Sequence, residues 1–176
     1  GEKLEEKKIV FGTVPFVIFG IWMACWLFAG LSAKEVPLKA GALAILVWVA
    51  LPHAISLYLS IKHSHTVAAI IIGLFLGFWL FLGIAPFVVS AEEIHETLIF
   101  SEPGIAIAVF ALQYFYRTTK ALQYVLIGLA LTVTYLWISK FVIALAPYIP
   151  LIVLSLGIFS IGVAFLELKK GENKKS

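Results

Sequence analysis

His53 is the titratable side chain that lies deepest inside an apolar segment of this sequence, and it directly follows Pro52. A proline in a helix leaves a backbone carbonyl about one turn earlier without its partner, and a neighbouring imidazole can bond to that oxygen. We therefore favour a structural, packing role for His53. The functional alternative is a pore-lining hydrogen-bond donor or proton relay, because imidazole changes charge near neutral pH. Gln123 is a second polar candidate, for a pore or for packing.

The other histidines and the lone cysteine predict no metal site and no cofactor. His63 and His65 stand at alternate positions beside Lys62, which offers two ligands where zinc sites use three or four. Haem ligation between helices takes paired histidines inside the spans, and His95 lies among acidic residues instead. Cys25 is the single cysteine, so the chain cannot form an internal disulfide.

Carboxylates are absent from every long apolar segment of the sequence. Charges inside a bilayer are costly and usually mark ion or proton paths, so a pump of the usual Asp/Glu type is disfavoured. We expect the acidic stretch at 92–102 to be a solvated outer loop, with attraction of cations as the alternative; its glutamates are Glu92, Glu93, Glu96 and Glu102. Without a buried carboxylate pair, nucleophile–base pair or metal cluster, the chain is predicted not to be an enzyme.

Six segments without Asp, Glu, Lys or Arg must position these residues: 9–33, 40–61, 66–91, 103–116, 121–139 and 141–166. Each, alone or with its polar flank, can cross a hydrocarbon core of about 30 Å, which takes about 20 helical residues. The fourth is the shortest; Pro103 is predicted to start it, unless it borrows residues 98–100. The chain is 62% hydrophobic. Because lipid offers no water to backbone groups, we predict an all-α integral membrane protein, a bundle of six transmembrane helices.

The basic residues predict that both the N- and C-termini are cytoplasmic. Counted on that assumption, ten basic residues lie inside (Lys3, Lys7, Lys8, Lys62, Arg117, Lys120, Lys169, Lys170, Lys174 and Lys175) and three outside (Lys34, Lys39 and Lys140). This bias follows the positive-inside rule. We expect a cytoplasmic N-terminal segment at 1–8, the transmembrane domain at 9–168 and a basic cytoplasmic tail at 169–176. The basic residues occupy short loops and tails, so no nucleic-acid partner is expected.

Small residues predict where helices approach closely. Gly73 and Gly77 form a GxxxG step in the third apolar segment. Helices in lipid associate by close backbone packing, and small residues permit that approach. We expect these glycines to pack within one subunit, with a dimer contact as the alternative.

Three segments resemble the succinate–acetate permease family, also called the YaaH-type acetate uptake transporters. Leu74-Phe75-Leu76-Gly77-Phe78-Trp79-Leu80 is similar to that family's S-Y-G-x-F-W-L segment. Arg117-Thr118-Thr119-Lys120-Ala121-Leu122-Gln123-Tyr124 is similar to its two basic residues followed by L-Q-F, and the Gly157-to-Glu167 spacing matches the end of its last helix. The family's N-P-A-P-L-G-L signature reads V-F-G-T-V-P-F here, at Val10–Phe16. The resemblance covers most of residues 10–170.

The resemblance implies a homo-hexamer in which each subunit encloses a narrow path for small carboxylates. The pore constriction then falls on Phe19, Phe75 and Leu129, with Phe75 in place of the family's tyrosine. A wholly apolar constriction can gate by dewetting. Packing in the core or against lipid is the alternative for all three residues. Arg117 and Lys120 become candidates for attracting the anion from the cytoplasm, although positive-inside placement explains them equally well.

Together these observations predict a multi-pass protein of the plasma membrane. Its expected function is that of a channel or facilitative transporter for a small, acetate-like carboxylate or its neutral acid. Its expected partners are membrane lipid, the carboxylate and further copies of the same chain. A non-transporting membrane scaffold, or a subunit of a larger membrane complex, is the alternative.

Overall fold

A computed structural model describes residues 2–34, 36–115 and 120–172, with side chains from residue 17 onward except at 67, 113, 115, 120–122, 164, 167, 168, 171 and 172. Within these residues every regular element is helical. The elements are α1 (Glu2–Ser32), α2 (Leu38–Ile45), a π-helical turn (Leu46–Ala50), α3 (Leu51–Lys62), α4 (Thr66–Val88), α5 (Ala91–Phe115), α6 (Lys120–Ser139), a 3₁₀ turn (Ile143–Tyr148) and α7 (Ile149–Glu172).

Four stretches of the described residues are helices long and apolar enough to cross a membrane: Leu38–Lys62, Ala68–Val88, Ala91–Leu112 and Ile143–Val163. Two shorter apolar helices, Val17–Ser32 and Gln123–Ser139, accompany them. The chain is therefore an all-helical protein with the spans of a membrane protein. The count of six spans and the side on which the termini lie stay predictions.

The second apolar segment is a composite helix. Its middle turn, Leu46–Ala50, is π-helical, and Pro52 stands in the first turn of α3. Proline has no backbone N–H, so one hydrogen bond of a regular α-helix is missing where proline stands. A wider, π-helical turn is one way for a helix to accommodate the missing hydrogen bond. A π-helical turn brings an extra residue into the helix and often accompanies a functional site. Here it ends at Ala50, two positions before Pro52 and three before His53.

The prediction of a loop at 92–102 is wrong, because α5 already begins at Ala91. Ser90 and Glu93 form a reciprocal cap: the Ser90 N–H donates to Glu93 Oε2 over 2.8 Å, and the Glu93 N–H donates to Ser90 Oγ over 3.2 Å. This capping box starts a helix, and glutamates in a first turn interact favourably with the helix dipole. Pro103 consequently lies inside α5 rather than at its start.

The core is formed where α1 packs along α7 and α3, and where α4 joins them. Glycines allow the closest approaches: a Cβ on Gly157 would come within 2.7 Å of the Trp22 ring. Gly77 behaves differently, because it is exposed and a Cβ there would meet no atom within 4 Å. The predicted packing of Gly77 within the subunit is therefore wrong.

Candidate functional site

Three polar side chains lie buried along one face of α3. His53, Ser56 and Ser60 have 1%, 0% and 0% of their surface exposed. Their spacing of three and four residues places them above one another on a helix, and we call them the polar row. Polar groups at such positions in a membrane helix are uncommon and usually serve either packing or function.

Both ring nitrogens of His53 have a partner. Nδ1 lies 2.8 Å from the carbonyl oxygen of Val49, and the indole Nε1 of Trp79 donates to Nε2 over 3.2 Å. Since Nε2 accepts, the hydrogen-bond pattern assigns the proton to Nδ1, which donates to Val49. This pattern describes a neutral imidazole that bonds a carbonyl one turn earlier, which is a structural role. That carbonyl lies four residues before His53, whereas the carbonyl that Pro52 leaves free in a regular α-helix is that of Trp48.

Gly20 of α1 makes room for this imidazole. A Cβ at position 20 would come within 2.5 Å of Nδ1 and 2.6 Å of Cε1 of His53. Any side chain there would collide with a ring that is bonded on both sides. The absence of a side chain on α1 and the two hydrogen bonds together define one orientation of His53.

The row ends at a hydroxyl without a partner. Ser60 Oγ and His65 Nε2 are buried and meet no hydrogen-bond partner among the residues that the structure describes. The two residues adjoin, because the N–H of His65 donates to the carbonyl oxygen of Ser60 over 2.8 Å. Other hydroxyls in these helices bond back to the carbonyl four residues earlier, as Ser160 does with Leu156 over 2.9 Å. Ser60 therefore retains hydrogen-bonding capacity at the α3–α4 turn.

Trp79 connects the polar row to an apolar cavity. Its ring stacks on Phe75 at 6.4 Å and meets Phe78 edge-on at 5.2 Å. The same side chain lines a cavity of about 30 Å³ between α1, α4, α6 and α7. That volume is enough for a water molecule, but the lining offers it few polar partners, so the cavity favours apolar contents.

The residues predicted to form the constriction are separated. Phe75 and Leu129 are buried, with 3% and 5% exposed; Phe75 stacks on Trp79, and Leu129 lines the cavity with it. Phe19 is 43% exposed and lies on the outside of the subunit. Trp79 is not among the site residues predicted from the sequence, although it lies in the segment that resembles the permease family.

The remaining candidates lie near the α5–α6 connection. Gln123 is half-buried in the first turn of α6. Lys120 begins that helix and only its backbone is described, while Arg117 falls outside the described residues. Their roles in a pore or in anion attraction stay predictions.

The expectation that no carboxylate is buried is wrong. Glu102 has 3% of its side chain exposed, and its two oxygens accept hydrogen bonds from Lys140 Nζ over 2.7 and 2.9 Å. The error follows from the missed start of α5, which places Glu102 inside a helix that packs on α6. Trp137 Nε1 also donates to the carbonyl oxygen of Ile99 over 2.9 Å, so the same two segments are joined twice.

Within the described ranges no group of three or more His, Cys, Asp or Glu side chains is placed to hold a metal ion. The fold and the site thus define a helical membrane protein with a polar row, an apolar cavity and a buried ion pair. Comparisons with models of known families, with curated proteins and with solved structures found no match.

Proposed function

We propose that the chain is a membrane channel or facilitative transporter for a small, acetate-like carboxylate or its neutral acid. The observation that carries the proposal is the polar row, which is fully buried in a membrane-length helix and ends at Ser60, whose hydroxyl has no hydrogen-bond partner among the described residues. Burial of polar groups away from water is costly unless they are bonded. A row whose last member, Ser60, retains bonding capacity favours the passage of a polar solute.

The proposed path has two halves. The polar row forms the half near the α3–α4 turn, on the predicted cytoplasmic side, and the apolar cavity forms the other half. Trp79 separates them, since its ring lines the cavity while its indole N–H bonds to His53. Phe75 and Leu129 support that ring, and a constriction of this kind can gate by dewetting.

The family resemblance supports the same function and extends it. By that resemblance the chain assembles as a homo-hexamer in the plasma membrane, with both termini cytoplasmic. The resemblance assigns Phe19 to the constriction as well, but Phe19 lies on the outer surface of the subunit, and the proposed path does not include it. The mass of the protein extracted in lipid nanodiscs, measured by native mass spectrometry, tests the hexamer directly.

Uptake into liposomes tests the function. Purified protein is reconstituted, and entry of labelled acetate is followed over a range of pH beside empty vesicles. We expect uptake above the empty vesicles, reduced several-fold by Ser60→Ala. Ser155→Ala is the matched control, because it removes an exposed hydroxyl from α7. Uptake that never exceeds the empty vesicles rejects transport.

The second candidate function is that of a non-transporting scaffold or subunit of a larger membrane complex. The closed packing of Trp79 with Phe75 and Phe78 favours it, because it blocks the proposed path in this conformation. A scaffold predicts background uptake together with a change in a native membrane complex when the chain is removed. The size of native complexes in membranes with and without the chain distinguishes the two functions.

A further inference from the structure

We propose that Lys140 is a binding residue for the carboxylate of an anionic solute. When no solute is bound, the carboxylate of Glu102 takes the place of the solute carboxylate on Lys140. This inference rests on the proposed function for the identity of the solute, and it selects the anion over the neutral acid. It concerns the buried ion pair of Glu102 in α5 with Lys140 after α6, which is separate from the polar row of α3.

The pair already shows how Lys140 holds a carboxylate. Nζ donates to both Glu102 oxygens, over 2.7 and 2.9 Å, which are the short distances of charge-assisted hydrogen bonds. An ammonium group has three N–H donors. The third has only a long contact of 3.4 Å with the carbonyl oxygen of Leu136, and Ser139 Oγ already donates to that oxygen over 2.7 Å. Lys140 therefore keeps a donor that its protein partners use poorly.

The side chain of Lys140 points back into the bundle. A lysine near the end of a membrane helix ordinarily extends its ammonium group outward to water. Here Nζ reaches back to the level of Leu136, whose side chain lines the apolar cavity. The side chain of Lys140 nevertheless remains 14% exposed, whereas that of Glu102 is 3% exposed. The ammonium group is thus partly accessible and lies beside the backbone of a residue that lines the cavity.

The helices do not depend on the ion pair for their alignment. Trp137 Nε1 bonds to the carbonyl oxygen of Ile99 one turn away, and neither atom of this bond belongs to the ion pair. Side chains on a helix tilt toward its N-terminus, so a released Glu102 turns toward the first turns of α5. Those turns are exposed and polar, with His95 and Glu96 among their residues. Exchange with a solute carboxylate therefore leaves neither charge buried without a partner.

Equilibrium binding of acetate to the purified full-length protein tests the proposal, with acetamide as an uncharged analogue of the same shape. We expect acetate, and not acetamide, to bind the wild-type protein. E102Q removes the competing carboxylate and is expected to tighten acetate binding by roughly tenfold, the change that about 1.4 kcal/mol produces. K140Q is expected to abolish it.

A charge exchange separates binding from structure. The double variant E102K with K140E keeps an ion pair between α5 and the end of α6, so a purely structural pair predicts wild-type stability and wild-type acetate binding. Our proposal predicts retained folding with acetate binding weakened by at least roughly tenfold. Unchanged acetate affinity in this variant overturns the proposal.

Two further measurements test the proposal if the charge-exchange variant does not fold, and distinguish its failure from a failure of the transport function. K140R keeps the charge and is expected to retain acetate binding. Equal binding of acetate and acetamide to the wild-type protein overturns the proposal without any variant. Lys140-dependent binding without liposome uptake rejects transport alone, whereas uptake with the same KM in the charge-exchange variant rejects the Lys140 site alone.

Discussion

The indole N–H of Trp79 donates to Nε2 of His53 over 3.2 Å and joins α4 to α3 at the inner end of the polar row. The rings of the two residues also meet edge-on, with centroids 5.8 Å apart. Through this contact the neutral imidazole is bonded on one side to its own helix and on the other to the residue that closes the cavity. A change at either residue is therefore expected to affect the other.

A double-mutant cycle measures this dependence. His53→Ala leaves the buried Trp79 N–H without its partner and removes the side-chain bond to the Val49 carbonyl, which we expect to lower the free energy of unfolding by about 2–4 kcal/mol. Trp79→Phe removes the same hydrogen bond from the other side, so the two losses should be non-additive by about 0.5–3 kcal/mol. Unfolding is followed by circular dichroism in mixed micelles. His95→Ala, at an exposed position, is the control.

Additive losses in that cycle would falsify the direct coupling of His53 and Trp79. A large loss of stability in the His95→Ala control would show that the assay responds to the removal of any histidine. The cycle would then not measure the coupling of His53 and Trp79.

Gly20 tests the space that His53 occupies. Gly20→Ala places a methyl group within 2.5 Å of the imidazole, and we expect a loss of about 1–3 kcal/mol in stability because the ring cannot move without breaking a bond. Gly77→Ala is the matched control, since a methyl group there meets no atom within 4 Å. That control should be neutral or gain up to about 1 kcal/mol from the better helix propensity of alanine.

The same denaturation assay compares the two glycine variants. Equal stability of Gly20→Ala and Gly77→Ala would contradict the close approach of α1 to His53. A loss confined to Gly77→Ala would instead place that glycine in a contact with another copy of the chain.

Part of this site could be predicted from the sequence because the cause is local. His53 bonds to the carbonyl oxygen of Val49, four residues earlier on its own helix, so the kind of contact is predicted although the carbonyl that Pro52 leaves free is a different one. The apolar segments likewise predict spanning helices, since length and hydropathy are properties of short stretches. Position in the chain was sufficient for these inferences.

The ion pair could not be predicted in this way because its residues are distant in sequence. Glu102 and Lys140 are 38 positions apart, as are Ile99 and Trp137, so the pairing depends on the register of two packed helices. One local signal was nevertheless present: Ser90 and Glu93 have the spacing of a capping box, which starts α5 before the acidic stretch. That signal, with the glutamates in the first turn, identifies 92–102 as helix.

The exposure of Phe19 shows a second limit to predicting a site from the sequence. A resemblance assigns a residue to a position along a helix, but the face depends on helix rotation, and neighbouring residues point about 100° apart. Ile18 is buried while Phe19 is 43% exposed. A side chain carried over from a family thus requires the packed structure before its direction is known.

The constriction residues are expected to differ in transport. Phe75→Ala and Leu129→Ala loosen the packing around Trp79, so each should raise acetate uptake several-fold while lowering stability by about 2–5 kcal/mol. Phe19→Ala should change neither, because its side chain is on the outside of the subunit. Initial uptake rates in liposomes, corrected for the amount of folded protein, provide the comparison. A faster rate in Phe19→Ala alone would place the path on the outer face of α1.

The Ser60 hydroxyl is expected to lower the stability of the protein and to increase its rate of transport. Its hydroxyl is fully buried and meets no partner in the part of the chain that the structure describes, so Ser60→Ala removes an unsatisfied group and should raise the free energy of unfolding by about 1–3 kcal/mol. Ser160 is equally buried, but its hydroxyl bonds to Leu156, and Ser160→Ala should cost about 0.5–1.5 kcal/mol. Denaturation in micelles and acetate uptake are measured on both variants. If Ser60→Ala is more stable than the wild-type protein and slower in uptake, a role in transport explains why the sequence has a hydroxyl that lowers stability. A Ser60→Ala variant that is less stable than Ser160→Ala would show that Ser60 has a bonding partner, and the polar row would then serve packing alone.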